Sequence, residues 1–94
     1  IHVFNDMMAY GVFECLKDKG INIPEQISVV GFDDIFFSKM LYVPLTTIAL
    51  PIHQMGEKAV QLLIERILNK TLPFRCDIFE PKLVVRKSTC NISN

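Results

Sequence analysis

The sequence predicts an α/β fold: a parallel sheet with flanking helices. Three observations carry that expectation. Ile27 to Phe32 is a near-continuous apolar run, the pattern of a parallel strand covered on both faces. Ile1 to Phe4 is a second short apolar run containing Val and Phe. Between them Ala9, Val12, Phe13 and Leu16 recur at i, i+3, i+4, i+7, one face of an amphipathic helix. Residues 1–32 therefore read as a strand–helix–strand unit.

Taken in order, Ile1 to Phe4 reads as a buried strand with His2 packed inside it. Asn5 and Asp6 follow, and both are good N-cap residues. Glu14, Lys17 and Asp18 form the polar side of the helix, and Gly20 is its expected stop. Met7, Met8, Tyr10 and Cys15 widen the apolar face beyond one stripe. That width suits a helix deep in a larger protein, or a face shared with a partner subunit. Residues 21–26, "INIPEQ", connect with a proline turn signal. After the 27–32 strand, Phe36 to Leu41 reads as a short helix or irregular turn, and Val43 to Leu50 is β-prone. Pro51 opens a second helix at an acceptable early position. Its apolar residues run as two ridges, Ala59-Leu63-Ile67 and Val60-Ile64-Leu68. Asn69 to Phe74 is a loop, Ile78 to Val85 the last strand pair broken at Pro81, and Ser88 to Asn94 a polar tail.

The chain has 94 residues, one domain at most. Half are hydrophobic and mean hydropathy is +0.31, rich for a soluble domain. Ten basic and ten acidic residues cancel, so the chain carries no electrostatic footprint for nucleic acid. Any DNA contact falls to another segment. Cys15, Cys76 and Cys90 cannot all pair internally, and none lies in a CxxC. Free thiols in a reducing cytoplasm are expected. No apolar run approaches the about 20 residues of a membrane span. The chain starts inside an apolar segment, "IHVF", which reads as a fragment of a longer protein.

In open α/β sheets, ligands bind outside the carboxyl ends of the strands. Asn5-Asp6 follows the first strand and Asp33-Asp34 the second, which places Asn5 and Asp33 on one edge of the sheet. An amide and a carboxylate there suit a polyhydroxylated ligand, since the acid accepts from hydroxyls and the amide both donates and accepts. The competing reading is local: Asn5 or Asp6 caps the helix, and Asp34 caps the next turn. Paired acids also hold Mg²⁺ or act on glycosidic bonds. Adjacent strand residues point to opposite faces, however, and no phosphate loop or nucleophile–base arrangement accompanies them. No catalytic role is expected. His2 and His53 lack ligand-spaced partners, so neither a metal nor another cofactor is expected.

Five pieces in register, "NDMMAYG", "IPEQISVVGFDDI", "PLTTI", "MGEKAVQLLIERI" and "LVVRKST", resemble the carboxy-terminal part of the effector domain of LacI/GalR-type transcription regulators. The likeness covers nearly the whole chain. It implies a Rossmann-like, two-lobe periplasmic-binding-protein-like (type I) fold. Residues 1–45 would belong to the carboxy-terminal lobe, 46–75 to a crossover and a helix of the amino-terminal lobe, and 76–94 to the return strand and tail. The helix at Pro51 would then share little core with residues 1–45. Asn5 and Asp33 match positions that contact the sugar or other small effector. Asp6 and Asp34 take either a ligand-binding or a capping role. Met7, Tyr10 and Phe13 on the helix, and the region of Phe37 to Tyr42, match the homodimer interface. Phe4 stands where a small residue is frequent, and its ring would narrow or reshape the pocket. Leu50 stands where a glutamine is frequent and removes one polar contact near the cleft.

The expected function is effector sensing in a cytoplasmic regulator. A small molecule shifts a dimer between DNA-competent and incompetent states, and operator DNA is read by a domain not in this chain. The alternative is a periplasmic-type sugar-binding protein of a transport system.

Overall fold

The computed structural model describes residues 1–92; the end of the predicted polar tail, Ser93 and Asn94, lies outside them. The chain divides into two compact units, one of Ile1–Ala49 with the stretch from Lys82 onward, the other of Leu50–Pro81. The expected divisions after residues 45 and 75 are offset from these boundaries.

The first unit is built on helix α1, Asp6–Asp18. Asn5 caps it: its Oδ1 accepts from the Met8 N–H at 2.9 Å, satisfying one of the orphan donors of a helix start. The predicted stop also holds. Lys19 is the C-cap, and Gly20 takes φ +67°, a conformation that a side chain disfavours. Ala9, Phe13 and Leu16 are buried against Val3, Ile23, Val29 and Leu45, with Val12 packed at the margin. The periodic stripe is therefore the core-facing face. Burying Phe13 alone is worth about 2–3 kcal/mol against leaving it exposed.

Three segments run in parallel beside α1. His2 pairs with Val30, Val30 with Thr46, and Asp33 with Ala49, so the 30–33 segment lies in the middle. The far side is strand β1, Thr47–Ala49, which pairs antiparallel with β2, Lys82–Val84, with Thr47 opposite Val84. The sheet is thus mixed, parallel where the sequence predicted it and closed by one antiparallel edge. Phe36 to Leu41 contains a short 3₁₀ turn, Ser38–Met40.

Two expectations fail along the first segment. Of Ile1 to Phe4 only Val3 is buried; His2 is exposed and Phe4 is 84% exposed. An edge segment covered on one side buries alternate residues, not all of them. The middle segment shows the same alternation: Val29 and Gly31 are buried, whereas Ile27, Val30 and Phe32 are partly covered.

The second unit consists of helix α2, Ile52–Leu68, followed by an extended stretch. Pro51 stands at its N-cap position without a capping side chain. No residue of α2 is buried, and Val60, Leu63, Ile64 and Ile67 are all exposed. Its ion pairs are on the surface, Arg75 to Glu65 at 3.2 Å and Lys58 to Asp77 at 3.6 Å, and add little stability. No helix of the described residues is long and apolar enough to cross a membrane.

Candidate functional site

The strand ends converge as the sequence order implies. The Asp6 N–H donates to the Phe32 carbonyl at 3.0 Å, and the Asp33 N–H to the Ile48 carbonyl at 2.9 Å. Asn5, Asp33 and Ala49 thereby end three adjoining segments on one edge. The four polar residues placed there do different work.

Asp6 is fully buried. Its Oδ1 accepts from the Thr47 hydroxyl at 2.7 Å, and its Oδ2 from the Ile35 N–H at 3.1 Å and from the Ser38 hydroxyl. Three donors from two remote segments engage both oxygens of the carboxyl group, which offsets the cost of burying so polar a side chain. The ligand-binding role expected for Asp6 is therefore corrected: its oxygens are spent on the fold. Gly31 makes room for it. A Cβ there would stand 2.8 Å from Leu45 Cδ2 and overlap the Asp6 carboxylate.

Asp34 is likewise engaged. Its Oδ1 accepts from Arg86 Nη2 at 2.7 Å, and its N–H points to the Thr47 hydroxyl at 3.4 Å. It pairs with an arginine instead of capping the following turn, which corrects that expectation. Arg86 also donates from Nη1 to the Leu45 carbonyl at 3.0 Å. Ser88 accepts from the Thr46 N–H at 2.7 Å and donates to the Val29 carbonyl at 2.6 Å. Sequence reasoning assigned Arg86, Ser88 and Thr47 no role. The signal for Arg86 and Ser88 was the run of hydroxyl and basic residues in "VVRKST"; that for Thr47 was the paired threonines of "PLTTI".

Asp33 differs from both neighbours. It is partly exposed, and among the described residues its carboxylate makes no hydrogen bond or ion pair. Its backbone holds φ +109°, and Asp34 follows at +54°. Two successive left-handed residues other than glycine are uncommon, and such strain collects at functional sites. The Asn5 amide oxygen is committed to the cap, while its amide nitrogen has no partner among the described residues. A free carboxylate acceptor and a free amide donor thus stand at adjoining strand ends.

The residues expected at a dimer interface divide. Met7 is 58% exposed, and Tyr10 and Tyr42 are exposed, while Phe37 is partly covered. Phe13 is corrected: it is fully buried in its own unit's core, with its ring 5.5 Å from that of Tyr42, so it has no surface to offer. The Tyr42 hydroxyl donates to the Phe13 carbonyl at 2.9 Å. Partial burial, then the nearby Glu14 charge, raise the phenol above the usual tyrosine value and keep it a donor. His53 lies 3.1 Å from Glu57 on the exposed side of α2.

The fold defines a class, α/β domains with parallel strands beside helices; in open sheets of that class the crevice outside the carboxyl strand ends is where ligands bind. A family model for the periplasmic binding protein-like domain matches residues 1–89, and the chain belongs to that family. Among curated relatives, the HTH-type transcriptional repressor PurR of Vibrio atlanticus is 40% identical over 88 residues, covering 94% of this chain and 26% of that protein. The chain thus spans about a quarter of the length of such relatives. A LacI family transcriptional regulator from Enterococcus faecium, solved with bound ribose, superposes with a TM-score of 0.92 at 30% identity, covering 98% of this chain and 34% of that one. One from Arthrobacter, in complex with lactose, reaches 0.81 at 35% identity, covering 95% and 34%. The fold is the periplasmic-binding-protein-like one, in the form of LacI-family effector domains.

Proposed function

We propose that the chain is the effector-sensing, carboxy-terminal portion of a DNA-binding transcription regulator. Residues 1–45 contribute to one lobe, 46–75 to the crossover and a helix of the other, and 76–94 to the return strand and tail. Asn5 and Asp33 hold a small molecule, a sugar by the chemistry of an acid that accepts and an amide that donates. Bound ribose and lactose in the similar regulators support that choice. The ligand acts by differential affinity for two states of a homodimer, shifting the balance between DNA-competent and incompetent forms. Met7, Tyr10, Phe37 and Tyr42 supply the face toward the second copy. Operator DNA is contacted through a segment outside these residues, in the cytoplasm.

The observation that carries this reading is the sorting of the acids. Asp6 and Asp34 are consumed internally, whereas Asp33, on a strained backbone at a strand end, keeps a carboxylate with no partner among the described residues. A sugar-binding protein of a transport system is not favoured, because the relatives are repressors and regulators. The same relatives are not enzymes.

Calorimetry on the full-length regulator tests the site, with a panel of pentoses and disaccharides headed by D-ribose and lactose. Asp33→Ala is expected to weaken binding of the sugar the protein takes by about 1.5–3 kcal/mol, the loss of a charged hydrogen bond. Unchanged affinity removes Asp33 from the site.

A further inference from the structure

The strained turn at Asp33 and Asp34 needs something to hold it, and the partner is far away in sequence. Arg86 lies on the segment that leaves β2. Its guanidinium spans two acceptors, the Asp34 carboxylate at 2.7 Å and the Leu45 carbonyl at 3.0 Å. The side chains of Arg86 and Asp34 are only 18% and 26% exposed, so the pair is shielded from solvent and stronger than a surface bridge. The segment carrying Arg86 is itself pinned. The Arg86 N–H donates to the Thr46 hydroxyl at 2.9 Å, and that hydroxyl lies 2.9 Å from the Thr89 hydroxyl. The Ser88 hydroxyl bridges Val29 and Thr46. The guanidinium therefore works from a fixed base.

We propose that Arg86 is a positioning residue for the effector site: by fixing Asp34 it holds the left-handed backbone of the turn and presents the Asp33 carboxylate to the ligand. Arg86 touches no ligand and acts only through the turn. A planar fork suits this task, since Nη2 takes the Asp34 carboxylate while Nη1 takes the Leu45 carbonyl in one fixed geometry, which a lysine's point charge on a flexible stem does not preset. Pairing with Arg86 also neutralises Asp34, so that Asp33 is the one uncompensated carboxylate of the turn. The inference rests on the reading that Asp33 contacts the effector.

The test uses the full-length regulator and two measurements. The first needs no ligand. In Arg86→Gln, amide exchange at residues 33–35 should quicken by about tenfold or more, as a local opening does when a latch is lost. Exchange in Ala9–Phe13 should stay within about twofold of the parent. Asp34→Asn should give the same local signature, and Arg86→Lys should recover part of the protection. Unchanged exchange at 33–35 in both Arg86→Gln and Asp34→Asn overturns the proposal.

The second is a double-mutant cycle on affinity for the sugar identified in the calorimetric panel. Arg86→Gln should weaken binding about tenfold in the parent and have no further effect in Asp33→Ala, because it acts through that carboxylate. A loss that adds fully in the Asp33→Ala background assigns Arg86 a merely structural effect and overturns the proposal. If Asp33→Ala itself leaves affinity unchanged, the sensor reading has failed instead, and the exchange measurement still decides whether Arg86 holds the turn.

Discussion

Four side chains at one edge of the sheet have separate duties, and substitution can part them. Asp6→Ala removes the acceptor for two hydroxyls and an N–H in a buried site. It should cost about 3 kcal/mol or more, since each stranded donor carries its own desolvation penalty. Urea titration should show a lower midpoint with an unchanged slope. Gly31→Ala reaches the same carboxylate from the other side. Its Cβ would crowd Asp6 and Leu45, and neither yields easily, so a loss of about 1–3 kcal/mol is expected from overpacking. Gly31→Ala as stable as the parent would show that the Asp6 cluster adapts. The Asn5-Asp6 pair and the acids after the middle strand were legible because polar residues interrupt apolar runs there. The division of labour was not. Thr47 lies 41 residues from Asp6, and Arg86 lies 52 from Asp34. No local pattern announces such partners, and a backbone angle such as that of Asp33 follows from them.

At the level of elements, α1 was the most readable. Ala9, Phe13 and Leu16 face the core at the spacing expected, and the cap and stop fall where residue type placed them. The apolar strands were legible as segments but overread as buried throughout, because the sequence does not say which one lies at an edge. Asn5 offers a clean separation of capping from binding. Asn5→Ala should cost about 1 kcal/mol through the lost cap. Asn5→Ser keeps an acceptor for the Met8 N–H, so thermal stability should stay close to the parent. The serine loses the amide donor, and sugar affinity in calorimetry should still fall. A serine variant with parental affinity would leave Asn5 as a cap alone.

For the molecule as a whole, the second unit is the part least able to stand by itself. Helix α2 has a strongly sided sequence yet buries none of its residues. Its ridges were legible as an amphipathic pattern, but a pattern tells only that a cover is needed, not which chain supplies it. Contiguous exposed apolar surface of this kind drives association. The 94-residue chain by itself should therefore self-associate in sedimentation at micromolar concentration. A clean monomer under those conditions would contradict the expectation that α2 needs a cover.

The tie between Asp34 and Arg86 has a temporal side. During synthesis the turn at positions 33 and 34 leaves the ribosome long before position 86 exists. Every nascent chain must therefore pass through a stage in which residues around α1 can condense while the turn at 33 and 34 stays unlatched. Closing that tie is a long-range event whose loop entropy must be met, so the turn is latched only once the segment carrying Arg86 has been made and has docked on it.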